Sequence, residues 1–267
     1  GVHPERIRIW VTNEAKKFGI DPVGVALISQ NGYGIRELAD QLEHYREGGD
    51  VYVMGSANVG KSTFINLLID TFKGPKDRKV TVSPVPGTTL NFLSLPIGSH
   101  SFLYDTPGII TSKQIYNYIA ADELKKIMPK KQIRPSVYRI APGTTLFLGG
   151  LGRLDYLEGP PLAYFTLFAS NEIYIHKTST LRAEEVYQDH LGTMLTPPFN
   201  SDTLDNWPGF GEGIVHELNN DDGNWQRAFT DIVFSGLGWF SVTMQGTAKG
   251  RTFYPPGCLV GQRPPLM

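Results

Sequence analysis

The sequence predicts an α/β domain followed by a smaller, β-rich domain, and three observations support this fold class. Residues 51–63, VYVMGSANVGKST, have the pattern of a strand, a glycine-rich loop and the start of a helix. Helical and strand-like patterns alternate from residue 3 to residue 127, as in α/β folds. After about residue 133, short apolar runs separated by Gly and Pro turns replace this alternation. We therefore expect two domains, 1–132 and 133–267.

Composition is that of an ordinary globular chain of 267 residues, with a net charge of −1. Residues 1–132 have 16 Lys and Arg against 13 Asp and Glu, and residues 133–267 have 9 against 13. The single cysteine, Cys258, excludes an intrachain disulfide and a Cys-based zinc site within this chain. There is no run of 18 apolar residues, so the sequence predicts no membrane span.

The first elements precede the glycine-rich loop. Residues 3–18 have the periodicity of an amphipathic helix. Residues 23–29, VGVALIS, are a continuous apolar run that predicts a strand buried on both faces. A turn cluster follows at 30–34, and residues 35–46 predict a second amphipathic helix that ends at Gly48.

The glycine-rich stretch has the spacing of a P-loop, GxxxxGK[ST], between a predicted strand and a predicted helix. In such loops, backbone N–H groups and the helix N-terminus bind phosphate groups. We expect Lys61 to reach the β- and γ-phosphates and the Ser62 hydroxyl to bind Mg²⁺. The predicted phosphate-binding residues are contiguous: Gly55, Ser56, Ala57, Asn58, Val59, Gly60, Lys61, Ser62 and Thr63.

A second motif, Asp105-Thr106-Pro107-Gly108, follows the strand predicted at 101–105. In GTPases the Asp of DxxG contacts Mg²⁺ through water and the Gly amide senses the γ-phosphate. Between the two motifs, a strand is predicted at 89–95, and Thr88 and Thr89 stand where a switch loop closes over Mg²⁺. A helix is predicted at 114–127.

The second domain is predicted to be mostly strand. The runs are 137–140, 145–149, 162–169, 173–177, 231–234 and 239–244, with one helix at 181–191. Residues 197–225 are rich in Pro, Asn, Asp and Gly and predict a long loop. Six aromatic residues on strand-like segments of this domain are expected in the core: Tyr156, Tyr164, Phe165, Phe168, Trp239 and Phe240.

These motifs resemble those of the translation-factor-like GTPases, with one difference in order. The base-reading motifs NKxD and SAK normally follow DTPG, and nothing after residue 108 fits them. Residues 29–32, at the end of the strand predicted before the P-loop, resemble the SAK element, which indicates a circular permutation. Among permuted GTPases, GSANVGKSTFIN, SPVPGTTLNF, YDTPGI and SGLGWFSV closely resemble the YqeH / nitric-oxide-associated protein 1 family.

The resemblance implies a permuted GTPase domain whose backbone at Ser29 and Gln30 meets guanine. The chain departs from the family pattern because NKxD and the N-terminal zinc-binding cysteines are absent, and Gln30 replaces the usual Ala. Two strands that should neighbour 23–29 are also missing. We therefore expect that the natural protein is longer and that these strands belong to its upstream part. Because the chain begins with Gly and not Met, we also expect that it is processed, tagged or cut.

The resemblance also implies GTP hydrolysis with Mg²⁺. Ile109 occupies the position of the Gln that orients water in Ras-like enzymes, so hydrolysis should be slow. Asn58 occupies the position at which related GTPases bind K⁺, which could neutralise charge at the β–γ bridge; the alternative is that Asn58 only caps the loop. The expected catalytic residues are Lys61, Asn58 and Thr89. The expected metal ligands are Ser62, Thr88, Thr89 and Asp105 for Mg²⁺ and Asn58 for K⁺.

As in the relatives, the output is expected to be small-subunit ribosome assembly and translation, with the C-terminal domain contacting ribosomal RNA or ribosomal proteins. The ending RPPLM favours a mitochondrial matrix protein over a plastid or bacterial cytoplasmic one. The basic cluster is either a phosphate-binding patch or a solvated face: Lys125, Lys126, Lys130, Lys131 and Arg134. The sequence does not indicate the oligomeric state.

Three other functions fit the sequence less well. A nucleotide-gated binding module with negligible hydrolysis fits Ile109, whereas the intact Lys61, Ser62 and Asp105 argue against an inactive site. An ATP-using enzyme stays open because NKxD is absent. Nitric oxide synthesis is rejected because nothing resembles a haem, flavin or pterin site.

Overall fold

The computed structural model describes residues 3–29, 31–56, 59–71, 93–97, 101–106, 113–220, 224 and 226–266. The chain divides into two compact units, 1–111 and 112–267. The boundary expected from the sequence lies near residue 132, whereas residues 113–132 pack with the C-terminal unit in the structure. The C-terminal unit is therefore the larger of the two, and not the smaller as the sequence predicts. Every helix among the described residues is too short or too polar to cross a bilayer.

The N-terminal unit is a small α/β fold. Its helices are α1 (Pro4–Lys17), α2 (Ile35–Arg46) and α3 (Lys61–Thr71), and its strands are β1 (Val51–Val53), β2 (Leu93–Pro96) and β3 (Phe102–Asp105). The strand order is β1-β3-β2, with β1 parallel and β2 antiparallel to β3. Residues three or four apart on α2 and α3 form the core with one strand residue: Ile35, Ala39, Ile65, Leu68 and Leu103.

The strand predicted at 23–29 is wrong. The structure has no strand there, and Val23 is 77% exposed. No described strand pairs with this segment, so its backbone N–H and C=O groups have no ladder. An apolar run becomes a buried strand only where a neighbour supplies those hydrogen bonds.

The C-terminal unit contains three short helices, α4 (Ala121–Ile127), α5 (Ala183–His190) and α6 (Ser201–Asp205). The helix predicted at 114–127 is two elements, because a 3-10 turn at Ile115–Asn117 precedes α4. The backbone N–H of Ala120 donates to the Glu123 carboxylate (2.9 Å), which caps the start of α4.

Two five-stranded sheets form the rest of this unit, and every described strand pair in them is antiparallel. The first contains β4 (Ser136–Ile140), β7 (Ala163–Ala169), β10 (Thr230–Phe234), β11 (Gly238–Thr243) and β13 (Val260–Arg263), in the order β13-β10-β11-β7-β4. The second contains β5 (Thr144–Leu148), β6 (Gly152–Glu158), β8 (Ile175–Ser179), β9 (Ile214–Asn220) and β12 (Gly246–Phe253), in the order β8-β5-β6-β12-β9.

The core of this unit is aromatic, as the sequence predicts. Four of the six aromatic residues expected there are buried, namely Tyr156, Phe165, Phe168 and Phe240. Tyr164 and Trp239 are partly exposed. The core also takes in Ile115, Leu124 and Ile127 from the segment before β4.

The loop predicted at 197–225 is wrong in its middle, because that range contains α6 and β9. In β9, alternate residues point inward, and His216, Leu218 and Asn220 are buried. Polar residues on the inward face hide this period of two from a reading based on apolar residues.

Candidate nucleotide-binding site

The P-loop joins β1 to α3. After β1 ends at Val53, the chain turns and α3 begins at Lys61. Gly60 has φ +95°, a conformation that glycine adopts without strain, and its carbonyl accepts the N–H of Phe64 (2.9 Å). Glycine at this position lets the chain reverse into the helix, so the first N–H groups of α3 face the loop.

Lys61 lies over this loop. Its Nζ donates to the carbonyls of Gly55 (3.0 Å) and Ser56 (2.8 Å). An ammonium group has three N–H donors, so these two bonds leave one for an anion. The carbonyls of the loop therefore hold the Lys61 ammonium group, which the sequence predicts to bind the β- and γ-phosphates.

Asp105 ends the strand beside the P-loop strand, in register with Val53. Its side chain is 1% exposed, and neither carboxylate oxygen has a hydrogen-bond partner among the described residues. Burial raises the pKa of Asp105, and the charge of Lys61 opposes this shift. Lys61 of the P-loop and Asp105 of DTPG therefore interact electrostatically.

Thr106 positions Asp105, and the sequence analysis did not single it out. Its N–H (3.3 Å) and its Oγ1 (2.8 Å) both donate to the carbonyl of Val53. These bonds fasten the end of β3 to the end of β1. The sequence feature that could have identified Thr106 is its place as the second residue of DTPG. A threonine hydroxyl there can donate a hydrogen bond, which most side chains cannot do.

The donor set fits Mg²⁺. A buried carboxylate without hydrogen bonds is costly unless a cation or its water compensates it. Ser62 lies in the first turn of α3 and has a hydroxyl oxygen, a type of ligand that Mg²⁺ accepts. Among the described residues, no three His, Cys, Asp or Glu side chains lie close enough to hold a metal together, so phosphate and water would complete the coordination.

The structure brings together Gly55, Ser56, Gly60 and Lys61, and places Asp105 on the neighbouring strand. Ser29 lies in a separate turn, where its Oγ donates to Asn31 (2.5 Å) and accepts the N–H of Tyr33 (3.2 Å). Ser62 and Thr63 lie in the first turn of α3, and Val59 precedes that helix and is exposed. Seven residues singled out from the sequence lie outside the described residues: Gln30, Ala57, Asn58, Thr88, Thr89, Gly108 and Ile109.

Two family models match the chain. The model described as "50S ribosome-binding GTPase" matches residues 50–134, and the model described as "YqeH-like, C-terminal" matches residues 163–266. The first contains both nucleotide motifs. The second contains most of the two-sheet unit.

Relatives match over nearly the whole chain. The uncharacterized protein YqeH of Bacillus subtilis is 44% identical over 253 residues, which cover 94% of this chain and 66% of the relative. The chloroplastic GTP-binding protein brassinazole insensitive pale green 2 of Arabidopsis thaliana is 31% identical, covering 100% and 41%. Human nitric oxide-associated protein 1 is 29% identical, covering 91% and 50%. The chain thus spans between 41% and 66% of the length of these relatives.

Proposed function

Because the chain belongs to the family of YqeH and nitric oxide-associated protein 1, we propose that it is a GTP-hydrolysing switch that acts in ribosome assembly. One observation supports the nucleotide site most strongly. Asp105, a buried carboxylate that has no hydrogen-bond partner among the described residues, lies within electrostatic reach of Lys61, which is bound to the P-loop carbonyls.

In this proposal, water attacks the γ-phosphorus, the bond to the β–γ bridging oxygen breaks, and GDP and phosphate leave. Lys61 neutralises charge on the β- and γ-phosphates, and the α3 N-terminus binds phosphate oxygens through N–H groups. Ser62 and Asp105, with Thr88 or Thr89, would hold Mg²⁺, which withdraws charge from the phosphates when bound. Ile109 offers no hydrogen bond to water, so turnover is slow.

The experiment measures affinity for fluorescent GDP, GTP and ATP, in this chain and in a chain extended at its N-terminus. We expect guanine selectivity with Mg²⁺ and at least tenfold weaker binding in Lys61→Ala. The matched control is Lys16→Ala, an exposed lysine on α1 whose loss changes the net charge equally. Equal affinity for ATP and GTP in both chains would overturn a guanine switch and favour an ATP-using enzyme.

The role assigned to K⁺ is separate. Asn58 is proposed to hold K⁺ beside the β–γ bridge, so hydrolysis is faster in KCl than in NaCl and Asn58→Ala removes the difference. Equal turnover in the two salts would contradict this role. Single-turnover kinetics in KCl also test the second candidate, a nucleotide-gated module, which the apolar Ile109 favours and which requires negligible hydrolysis.

The output is proposed to be small-subunit ribosome assembly and translation, with RNA or protein bound by the C-terminal unit. The mitochondrial matrix is the proposed location, and a plastid or bacterial cytoplasm is the alternative, since relatives are bacterial and organellar. The matching model is described as binding the 50S subunit, so the test must compare both subunits. Cosedimentation with small subunits in GTP but not GDP supports the proposal, whereas binding only to large subunits contradicts it.

A further inference from the structure

A cleft of about 700 Å³ opens in the C-terminal unit. It lies beside β4, an edge strand of the first sheet, and beside the turn that leads from β7 into β8, an edge strand of the second sheet. Its polar lining comes from both sides: Lys131, Arg134, Ser136, Tyr138, Ser170 and Asn171. None of these side chains belongs to the nucleotide site described above.

Two of the five residues in the basic cluster, Lys131 and Arg134, line the cleft. Lys126 lies 4.4 Å from the centre of an aromatic ring, and Lys130 forms an ion pair with Glu172 (3.1 Å). Lys131 and Arg134 line the cleft, are exposed, and have no acidic partner within 4.0 Å among the described residues. The mouth of the cleft is therefore positive, although residues 133–267 are acidic overall.

One wall of the cleft is held in place by a side chain. The amide of Asn171 accepts the N–H of Arg134 (2.9 Å) and donates to the carbonyl of Gln132 (3.0 Å). These two bonds join the segment that carries the cations to the turn between β7 and β8. A site whose wall is already fixed loses less entropy when it binds a ligand.

Apolar and aromatic side chains complete the lining of the cleft beside the polar ones. Leu167, Ala169 and Ile173 are buried at its floor, and two tyrosine rings line it. Tyr138 is half-buried and Tyr174 is 52% exposed. Flat rings beside cations can stack a base while its phosphate meets the positive charge.

We propose that this cleft binds one or two nucleotides of single-stranded RNA, with phosphates on Lys131 and Arg134 and a base against Tyr138 or Tyr174. This inference rests on the proposed function, in which the C-terminal unit contacts RNA or protein. An acidic peptide would use the cations but would have no need of the rings. A duplex would keep its bases stacked and could not use them either.

The test measures fluorescence anisotropy of a labelled 12-nucleotide single-stranded RNA with the whole chain between 50 and 200 mM KCl. Two phosphate contacts on a single strand correspond to a slope of log affinity against log salt of about −1.4. In Lys131→Ala/Arg134→Ala we expect at least tenfold weaker binding and a shallower slope. Arg182→Ala/Lys249→Ala removes the same charge from exposed positions outside the cleft and should change affinity less than twofold.

The aromatic part is tested by Tyr174→Ala and Tyr174→Phe. Loss of one stacked base weakens binding by about 5- to 100-fold, whereas the phenylalanine keeps the ring and most of the affinity. Because Tyr174 is largely exposed, both variants should fold, and circular dichroism melting checks this. Crosslinking of 4-thiouridine RNA should modify peptides that contain residues 131–138 or 167–175.

Three outcomes would overturn the proposal: equal loss in the two double variants, crosslinks confined to other peptides, or polyglutamate that binds as tightly as RNA. GTP hydrolysis is measured on the same samples and should be unchanged in Lys131→Ala/Arg134→Ala. Normal GTP hydrolysis without RNA binding would reject the RNA-binding cleft and leave the proposed GTPase switch intact. RNA binding without nucleotide binding would instead reject the proposed switch.

Discussion

At the scale of single residues, the carboxylate of Asp105 opposes folding. Its carboxylate is almost fully buried and has no hydrogen-bond donor among the described residues, so its ionised form is poorly solvated. The opposing charge of Lys61 only partly offsets this, because burial still raises the pKa of the carboxyl group. Such a group is tolerated where a bound cation compensates it.

Replacement of Asp105 by Asn should therefore separate stability from binding. Since the pKa of Asp105 is raised in the folded chain, ionisation destabilises that chain as pH rises above 3.8, the usual value. Without nucleotide at pH 7, we expect Asp105→Asn to be more stable by about 1 kcal/mol. Mg²⁺-dependent GTP affinity should fall at least tenfold.

Urea unfolding and nucleotide titration measure these two effects. Asp50→Asn is the control, because Asp50 precedes β1 and its carboxylate accepts the N–H of Phe102 (2.8 Å). That variant should not gain stability. A destabilised Asp105→Asn chain would show that the carboxylate contributes to folding rather than to cation binding.

His216 gives the C-terminal unit a dependence on pH. It is buried on β9, and its Nε2 lies 2.8 Å from the Thr252 hydroxyl on β12. Burial lowers the pKa of His216, and the side chain of Gln262 opposes this shift. The folded chain thus binds a proton less readily than the unfolded chain, so stability is lost as pH falls through 6.5, the usual value.

We expect the melting temperature of the C-terminal unit to drop between pH 7.5 and pH 5, and to drop less in His216→Gln. A melting series by circular dichroism measures both profiles. His44→Gln is the control, because His44 is exposed on α2 and should leave the slope unchanged. Parallel profiles in His216→Gln and the original chain would assign the acid sensitivity to other groups.

At the scale of elements, helix α4 is joined to helix α6 by one buried carboxylate. Besides capping α4, Glu123 accepts the backbone N–H groups of Phe199 (2.5 Å) and Asn200 (2.8 Å) and the Thr203 hydroxyl (2.6 Å). A carboxylate with this number of donors is well compensated despite full burial.

Glu123→Ala leaves those donors without an acceptor, so we expect the free energy of unfolding to fall by about 3 kcal/mol. Glu123→Gln should lose less, because its carbonyl oxygen can still accept the N–H groups of Phe199 and Asn200. Urea unfolding followed by circular dichroism compares them with Asp122→Ala, an exposed neighbour on α4. Equal losses at Glu123 and Asp122 would refute the buried link.

Local patterns predict the elements well where one period dominates. The P-loop, α2 and the strands near 101–105 and 163–169 follow directly from spacing and apolar alternation. β9 and β12 were missed because polar and glycine residues occupy their inward positions. The prediction of a strand at 23–29 is wrong for another reason. An apolar segment becomes a strand only where another strand pairs with it, and the sequence of the segment itself does not specify that strand.

Some features of the candidate site could likewise be predicted from local patterns, and others could not. Motif spacing identifies Lys61 and Asp105, but no pattern in the sequence states that a residue at the start of α3 interacts with one at the end of β3. Nor does it state that Asp105 is buried with no hydrogen-bond partner among the described residues. Lys131 and Arg134 were recognised only as part of a charged run. They differ from Lys126 and Lys130 because those two lysines contact an aromatic ring and Glu172, which are distant in sequence.

At the scale of the whole molecule, the two compact units each have a core of their own. A ligand that binds one folded unit stabilises that unit by RT ln(1 + [L]/Kd). We expect GDP with Mg²⁺, at 100 times its Kd, to stabilise the N-terminal unit by about 2.7 kcal/mol. The His216 and Glu123 variants should not alter that increment.

Hydrogen exchange with peptide resolution measures this increment separately in each unit. Protection should rise in peptides from residues 51–71 and 101–106 and stay unchanged in those from β5, β6 and β12. An equal rise in both sets would show that the units unfold together.

The packing of residues 113–132 has a practical consequence for anyone who wishes to express the C-terminal part alone. A fragment begun at residue 133, where the sequence changes texture, or at 163, where the family model starts, would lack Ile115, Leu124, Ile127 and the Glu123 carboxylate. Either fragment would expose apolar surface to solvent and aggregate. A fragment begun at residue 112 keeps this hydrophobic core whole and is the one to crystallise.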